Sequence, residues 1–237
     1  MVFDADRPSD SRHIERVWRC HSVAAGDFLS VASSHWELVV TRLHGRTTVT
    51  LRGPETTVRR VHCPAEGEWF AIRFKAGTFM PRLPLAQLLN GQDVRLPQPT
   101  KRTFWLAGKA CEVPDFEHAE TFVAKLAKED VIAHDRTVAA VLEGSSPSYS
   151  LRSAQRHFQL ATGMTYGRYR QIERARYAVS LLRDGVSISD SVHDAGFYDQ
   201  PHLTRSLKAL IGVTPAGIVQ DAQQLSFLYK TSLSRWT

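Results

Sequence analysis

Two stretches of the chain, 49 positions apart, repeat one pattern of apolar, charged and turn-forming residues. In each copy an arginine stands two positions before an apolar residue, and a glycine is followed two positions later by a threonine. Glycine accommodates the left-handed backbone that ends a helix, and threonine caps the start of the next helix. The repeat therefore predicts two helices that each lead directly into another; the aligned pairs are Arg156 and Arg205, Phe158 and Leu207, Gly163 and Gly212, and Thr165 and Thr214.

The second copy is preceded by a short capped segment and a turn. Residues 187–190, Ser-Ile-Ser-Asp, fit a capping box that opens a short helix ending at Ala195, and Gly196 provides the turn. In the following stretch, GFYDQPHLTRSLKALIGVTP, a narrow apolar stripe is accompanied by amide, hydroxyl and cationic groups; the stripe is Leu203, Leu207 and Leu210. A short helix, a tight turn and a second helix with a polar face predict a helix-turn-helix, whose second helix enters the DNA major groove.

A long helix is predicted between the two copies, over residues 165–183. Its apolar stripe has helical spacing and consists of Tyr169, Ile172, Ala175, Val179 and Leu182. Nineteen residues form a helix of ~28 Å, which is close to the about 34 Å that separates successive major-groove faces. The segment therefore predicts a rigid connector that holds two recognition helices roughly one DNA turn apart.

Positive charge is concentrated in the same part of the chain. The net charge of the whole chain is +6, but residues 150–183 contain seven arginines and one acidic residue, Glu173. Charge of one sign in one segment is typical of a face that binds a polyanion. A solvated helix surface is the alternative interpretation of this count.

The N-terminal half has a different texture. Short runs rich in Val, Thr, Trp and Phe predict strands at residues 36–43, 47–51, 57–63 and 69–75, and the Pro-rich stretch 81–100 predicts loops with one short helix at residues 85–89. Helical spacing starts after residue 115. We predict an α+β multi-domain protein in which a β-rich domain, residues 1–113, precedes an all-α domain, residues 114–237.

The helical half resembles the DNA-binding domain of AraC/XylS-type transcriptional regulators. The resemblance covers residues 135–220 and is strongest over residues 188–215, where GFYDQPHLTR is followed by GVTP. It implies a double helix-turn-helix joined by a linker helix, and a β-rich sensor or dimerisation domain before it. The first scaffold segment, residues 139–150, departs from the family pattern because it lacks the family's usual turn geometry. Pro201 is the second departure, since it removes a backbone donor early in the second recognition helix.

The resemblance implies a sequence-specific regulator that binds promoter DNA in successive major grooves. Its base-reading and phosphate-binding residues would be Arg152, Gln155 and Arg156 on the first recognition helix, and Gln200, Pro201, Thr204 and Arg205 on the second. Glutamine pairs with adenine and arginine with guanine, whereas threonine mostly contacts phosphate. Double-stranded DNA is the expected partner; RNA polymerase, a small-molecule effector and a second copy of the chain stay open. A β domain with enzymatic or ligand-binding activity, localised to DNA by the helices, is the alternative function.

Other chemistry finds little support in the residues. Cys20, Cys63 and Cys111 lie far apart, which favours reduced thiols over disulfides and is one cysteine short of the four that DNA-repair methyltransferases of this kind use. His62 next to Cys63 suggests a nucleophile weakly, because neighbouring residues of a strand face opposite ways. We therefore expect no enzyme, no catalytic residue, no metal and no cofactor.

Two further expectations concern the aromatic residues and the location of the protein. The aromatic residues of the β-rich half are predicted to form a core rather than line a ligand cavity; they are Trp18, Trp36, Trp69, Phe70 and Phe74. The polar start resembles neither a secretory signal nor a transit peptide, and no run is long enough to cross a bilayer, so a cytoplasmic location is expected.

Overall fold

The computed structural model of the chain describes residues 2–98, 100–144 and 150–220. A six-stranded antiparallel sheet dominates the N-terminal half, with the spatial order first, second, seventh, fourth, fifth and ninth strand. The described strands, in chain order, are β1 (Val2–Pro8), β2 (Ile14–His21), β3 (Gly26–Ser30), β4 (Glu37–Leu43), β5 (Arg46–Arg52), β6 (Arg59–Cys63), β7 (Glu68–Phe74), β8 (Thr78–Phe79), β9 (Val94–Arg95), β10 (Thr103–Leu106), β11 (Lys109–Glu112) and β12 (Ala133–His134).

The central strands of the sheet are rich in β-branched and aromatic residues, which favour strands, and their apolar face is buried. On that face, β4 and β7 place Leu38 opposite Ile72, and both side chains are fully buried. Trp36 stacks on Phe74 with ring centroids 3.8 Å apart, and the Trp36 indole donates to the carbonyl of Thr78 at 2.6 Å. Trp36 and Phe74 therefore belong to the core, as the sequence predicted.

All four predicted strands are confirmed as β4, β5, β6 and β7, but two long strands near the start were not anticipated. β1 and β2 pair with each other, and β2 also pairs with β7. The predicted helix at residues 85–89 is a 3₁₀ helix, Leu85–Gly91, in which Leu89 and Asn90 have non-helical backbone angles. The amide of Asn90 donates to the carbonyl of Pro54 at 3.0 Å, so a contact with the loop after β5 replaces a helical hydrogen bond there.

The helices follow the sequence pattern closely. They are α1 (Ala119–Lys128), α2 (Arg136–Leu142), α3 (Leu151–Thr162), α4 (Tyr166–Arg183), α5 (Ile188–Asp194), α6 (Gln200–Leu210) and α7 (Pro215–Gln220). The residues that end the two repeated helices have the predicted left-handed conformation, with φ of 76° at Gly163 and 90° at Gly212. Thr214 caps α7, because its hydroxyl accepts from the amide of Gly217 at 3.1 Å.

The described chain divides into two compact units that do not follow the linear order of the sequence. The first unit contains residues 1–25, 35–54 and 63–166, and the second contains Gly26–Ser34, Glu55–His62 and residues 167–237. The domain boundary at residues 113–114 stays a prediction, since it concerns which segments fold independently. Within the described residues, no helix is long and apolar enough to cross a membrane. Residues 145–149, part of the first scaffold segment, lie outside the described ranges.

Candidate nucleic-acid interface

The first recognition helix, α3, has one buried face and one exposed polar face. Its buried face presents Phe158, which is 1% exposed, together with Ala154 and Ala161. The predicted DNA-binding residues lie on the opposite, exposed face; they are Arg152, Gln155 and Arg156. These three residues also line an open depression of about 380 Å³ with Pro84, Ala86, Gln159 and Leu160. The polar face of α3 is therefore exposed, and it borders the start of the 3₁₀ helix Leu85–Gly91.

The beginning and end of α3 are held by local contacts. The hydroxyl of Ser150 accepts from the amide of Ser153 at 3.3 Å, which caps the first turn. At the other end, a Cβ on Gly163 would lie 2.9 Å from the carbonyl carbon of Leu85. Glycine is required at position 163 for two reasons: the backbone is left-handed, and the 3₁₀ helix approaches too closely for a Cβ.

The second recognition helix, α6, repeats the arrangement. Leu203 and Leu207 are fully buried and Leu210 is nearly so. The predicted readers lie on the other side, where Gln200, Pro201 and Arg205 are exposed and Thr204 is half-buried. The sequence repeat therefore corresponds to one repeated geometry, in which an arginine is exposed and the apolar residue two positions later is buried.

Capping explains why α6 begins where it does and tolerates a proline. The carboxylate of Asp199 accepts from the amide of His202 at 2.7 Å. Pro201 lies in the first turn, where a backbone amide has no intrahelical acceptor. The missing donor therefore costs α6 no helical hydrogen bond.

The segment from the start of α5 to the turn before α6 is held by a helix cap and by a side chain of α4. Ser187 caps the start of α5 at the predicted position, accepting from the amide of Asp190 at 3.1 Å and donating to its carboxylate at 2.7 Å. Arg174 of α4 donates to the carbonyl of Ala195 at 3.2 Å and to that of Gly196, and its guanidinium lies 4.5 Å from the ring centroid of Phe197. Burial, and then the charge of Arg170, lower the pKa of Arg174. Arg174 therefore joins the linker helix to the turn.

One exposed residue of this turn was not singled out from the sequence. Tyr198 is 90% exposed and lies directly before the capping Asp199. A large aromatic residue with a phenol in this position is suited to donate a hydrogen bond to a DNA phosphate. Its signal in the sequence was an aromatic residue inside a polar turn, next to a helix cap.

The charge of the segment is less available to DNA than the count of arginines indicated. Arg168 donates to the carbonyl of Thr56, and Arg176, which is 2% exposed, donates to that of Ala32 at 3.4 Å. With Arg174, three of the seven arginines therefore bind backbone carbonyls of the protein. The acid of the segment, Glu173, is also buried.

The β-rich unit contains a cleft of about 550 Å³. Trp69, Phe70 and Phe116 provide its aromatic surface, and charged side chains surround it; among them are Asp4, Arg19, Arg42, Glu68, Asp115 and Glu117. The guanidinium of Arg19 lies 4.9 Å from the ring centroid of Phe116. Trp36 and Phe74 are buried in the core, and Phe70 packs against the core as predicted while it also lines this cleft. Trp69 lines the cleft.

The cysteines and histidines are the side chains on which other chemistry could depend. All three cysteines are free and buried. Burial and the neighbouring Cys63 raise the pKa of Cys20 to about 12, so its nucleophilic thiolate is scarce at neutral pH. Within residues 2–98, 100–144 and 150–220, no three His, Cys, Asp or Glu side chains are grouped so as to hold a metal ion.

Comparison with known proteins identifies the helical half. Residues 147–220 match the family model described as a helix-turn-helix domain. No curated protein sequence matches the chain. Among solved structures, ToxT from Vibrio cholerae is similar over 86% of this chain and 96% of that chain, at 10% identity and a TM-score of 0.36.

The helix-turn-helix match over residues 147–220 agrees with the paired helices and their polar faces. Together they define a DNA-binding transcriptional regulator with a β-rich N-terminal half and a helical C-terminal domain. That C-terminal domain is of the AraC/XylS type, so the resemblance seen in the sequence is confirmed.

Proposed function

We propose that the protein reads promoter DNA by placing α3 and α6 in successive major grooves. The observation that carries this proposal is the repeated geometry, in which two helices with left-handed glycine ends each expose a polar face opposite a buried apolar stripe. The 18-residue linker helix α4 spans ~27 Å, which suits a spacing of roughly one DNA turn.

In this proposal the two helices differ in their reading. On α3, Arg152 and Arg156 are four residues apart and Gln155 stands beside them, so three long donors can reach neighbouring base edges. On α6, the carboxylate of Asp199 repels nearby phosphate, and Pro201 has no side-chain donor. Gln200 is then the main base reader of α6; Arg205 divides between bases and phosphates, and Thr204 contacts phosphate.

The test uses the full chain and DNA selected from random duplexes. We expect Arg152→Ala to relax base preference in its half-site by about 1–3 kcal/mol, and more than Gln200→Ala does in the other half-site. If about six phosphates are contacted, the logarithm of the binding constant should fall with the logarithm of the salt concentration with a slope near −5. Arg95→Ala, which removes an exposed arginine on the edge strand β9, is the matched control.

Two results would contradict the proposal. Binding that does not respond to salt removes its electrostatic basis, and selected sequences that are unchanged by Arg152→Ala and by Gln200→Ala remove its readers. A larger effect of Gln200→Ala than of Arg152→Ala would reverse only the order of the two helices.

For the β-rich unit we propose a sensor role rather than base reading. The supporting observation is the cleft beside Trp69, Phe70 and Phe116, whose volume lies within the range of small-molecule sites. An amphipathic organic molecule fits it, with its apolar body on the rings and its polar end toward the charged rim. Dimer formation and contact with RNA polymerase stay predictions of the resemblance.

A further inference from the structure

We infer that two segments of the N-terminal half, Gly26–Ser34 and Glu55–His62, are a positioning element for the second recognition helix. We call them the β3–β6 ribbon, because they contain β3 and most of β6, which pair with each other. The inference deepens the proposed reading of DNA by α6 and rests on it. Its core is that α6 is held by residues more than 140 positions earlier in the chain.

The ribbon binds the free carbonyls at the end of α6. The amide of Ala32 donates to the carbonyl of Leu210 at 2.8 Å, and the amide of Val58 donates to that of Ala209 at 3.4 Å. The last carbonyls of a helix have no partner within the helix. The two segments therefore provide amide donors to two of the last carbonyls of α6, in the way that a neighbouring strand or a capping group would.

The ribbon also packs against the glycine that ends α6. A Cβ on Gly212 would lie 3.0 Å from Leu29 Cδ1 and 3.1 Å from Val58 Cγ2. Gly212 has a φ of 90°, so the turn after the helix requires glycine for its backbone and gains close contact with the ribbon. Side chains from both segments thus touch the same turn.

A second set of contacts joins the ribbon to the linker helix α4. The hydroxyl of Ser34 donates to the carboxylate of Glu173 at 2.5 Å, and both residues are buried. Arg176 donates to the carbonyl of Ala32, and Arg168 donates to that of Thr56. A buried charge is stable only when it is paired or hydrogen-bonded. The ribbon provides such partners for Glu173 and Arg176 of α4.

The ribbon therefore touches the two helices whose relative orientation sets how the second helix-turn-helix faces a DNA half-site. The chain also links it closely to the large sheet, since residues 22–25 alone separate β2 from β3, and residues 64–67 separate β6 from β7. Reading by α6 is then conditional on the ribbon, whereas α3 contacts Leu85 and Asp135.

The first measurement needs no DNA. In native-state hydrogen exchange of the full chain, the amides of Ala32 and Val58 should exchange with the same opening free energy as the amides of α6, and should respond to denaturant with them. If these two amides exchange independently of α6, the ribbon is not part of the same cooperative unit and the inference is overturned.

The second measurement compares neighbouring substitutions in the full chain. Val58→Asp places a charge in the contact with Gly212, and Thr57→Asp places the same charge at the adjacent exposed position. We expect Val58→Asp to weaken binding to the α6 half-site by about tenfold, because displacing the ribbon would break its two hydrogen bonds to α6. Binding to the α3 half-site should be unchanged. Thr57→Asp should leave both half-sites within about twofold of wild type, a change of less than 0.5 kcal/mol.

A milder substitution covers the case in which Val58→Asp does not fold. Ser34→Ala removes the hydrogen bond from the Ser34 hydroxyl to Glu173, and it should weaken binding to the α6 half-site by about threefold. Normal affinity of a folded Val58→Asp protein, or of Ser34→Ala where the former is unfolded, would overturn the inference. If the wild type binds no DNA, the proposed function fails while hydrogen exchange still decides the role of the ribbon.

Discussion

At the scale of single residues, the arginines of the helical half serve two purposes. Arg152, Arg156 and Arg205 are exposed on the recognition helices, whereas Arg174 and Arg176 donate to carbonyls of the protein. The guanidinium group suits the second purpose because it donates several hydrogen bonds in one plane and stacks on aromatic rings. Counting cations from the sequence therefore overstates the charge available to phosphates.

Arg174 allows this division to be tested. Arg174→Ala should lower the free energy of unfolding by roughly 1–2 kcal/mol, because two carbonyl contacts and the cation–π contact with Phe197 are lost. Arg174→Lys should lose nearly as much, since an ammonium group cannot reproduce the planar fork. Urea unfolding of both variants measures this. A lysine variant as stable as wild type would show that charge alone matters at this position.

At the scale of elements, the first helix-turn-helix depends on one carboxylate that joins α2 to α3. Asp135 caps α2 by accepting from the amides of Thr137 and Val138 at 2.8 and 3.2 Å, and His157 of α3 donates to its other oxygen at 2.7 Å. Burial alone would raise the pKa of Asp135, but the hydrogen bonds from His157, Val138 and Thr137 outweigh burial and lower it. The ionised form is thus the one that holds the two helices.

The stability that Asp135 contributes should therefore depend on pH. A carboxyl group with a lowered native pKa stabilises the fold above its ordinary pKa of 3.8, and the contribution is lost as pH falls through the native value. Asp135→Asn keeps a good capping residue and removes the charge. We expect it to be less stable than wild type at pH 7 by about 1 kcal/mol, and the difference to shrink below about pH 4.

Unfolding by urea at a series of pH values gives the comparison. Asp184→Asn, which removes an exposed carboxylate after α4, controls for the loss of one negative charge. A stability difference between wild type and Asp135→Asn that is the same at pH 7 and pH 3 would contradict the assigned role.

At the scale of the whole molecule, a sensor and a DNA reader must be linked by reciprocal effects. A ligand that changes the affinity for DNA by some factor has its own affinity changed by DNA by the same factor. The proposed sensor cleft can be disturbed through Phe116, whose half-buried ring contacts Arg7 and Arg19. Phe122 is a matched half-buried ring, which packs on Phe104 outside this cleft.

We expect a small organic molecule that raises the Tm of the full chain to lose this effect in Phe116→Ala and keep it in Phe122→Ala. Titration of that molecule with and without the selected DNA should then show equal coupling factors in both directions. Loss of the effect in both variants would mean that the ring substitutions disturb the fold generally. Stabilisation that survives Phe116→Ala would place the ligand elsewhere.

The local features of the helical half were determined by the sequence alone. The two glycine ends, the helix cap at Ser187 and the buried stripe of α4 all appear where the residue pattern predicts them. Each depends on interactions within a few residues, because helical hydrogen bonds and caps join near neighbours. The AraC/XylS type of the domain was recognisable from the sequence because its motif consists of such local features.

Only the tertiary structure decided which distant segments support these helices. β2 was not predicted, although it pairs with the neighbouring β1 and with β7 about fifty residues later, because strand pairing leaves little local signal in the sequence. Glu173 and Arg176 read as surface charges on α4, yet both are buried because Ser34 and Ala32, separated from them by 139 and 144 positions, supply a hydroxyl donor and a carbonyl acceptor. A charged side chain can leave water only where such partners are present, and folding alone brings them together.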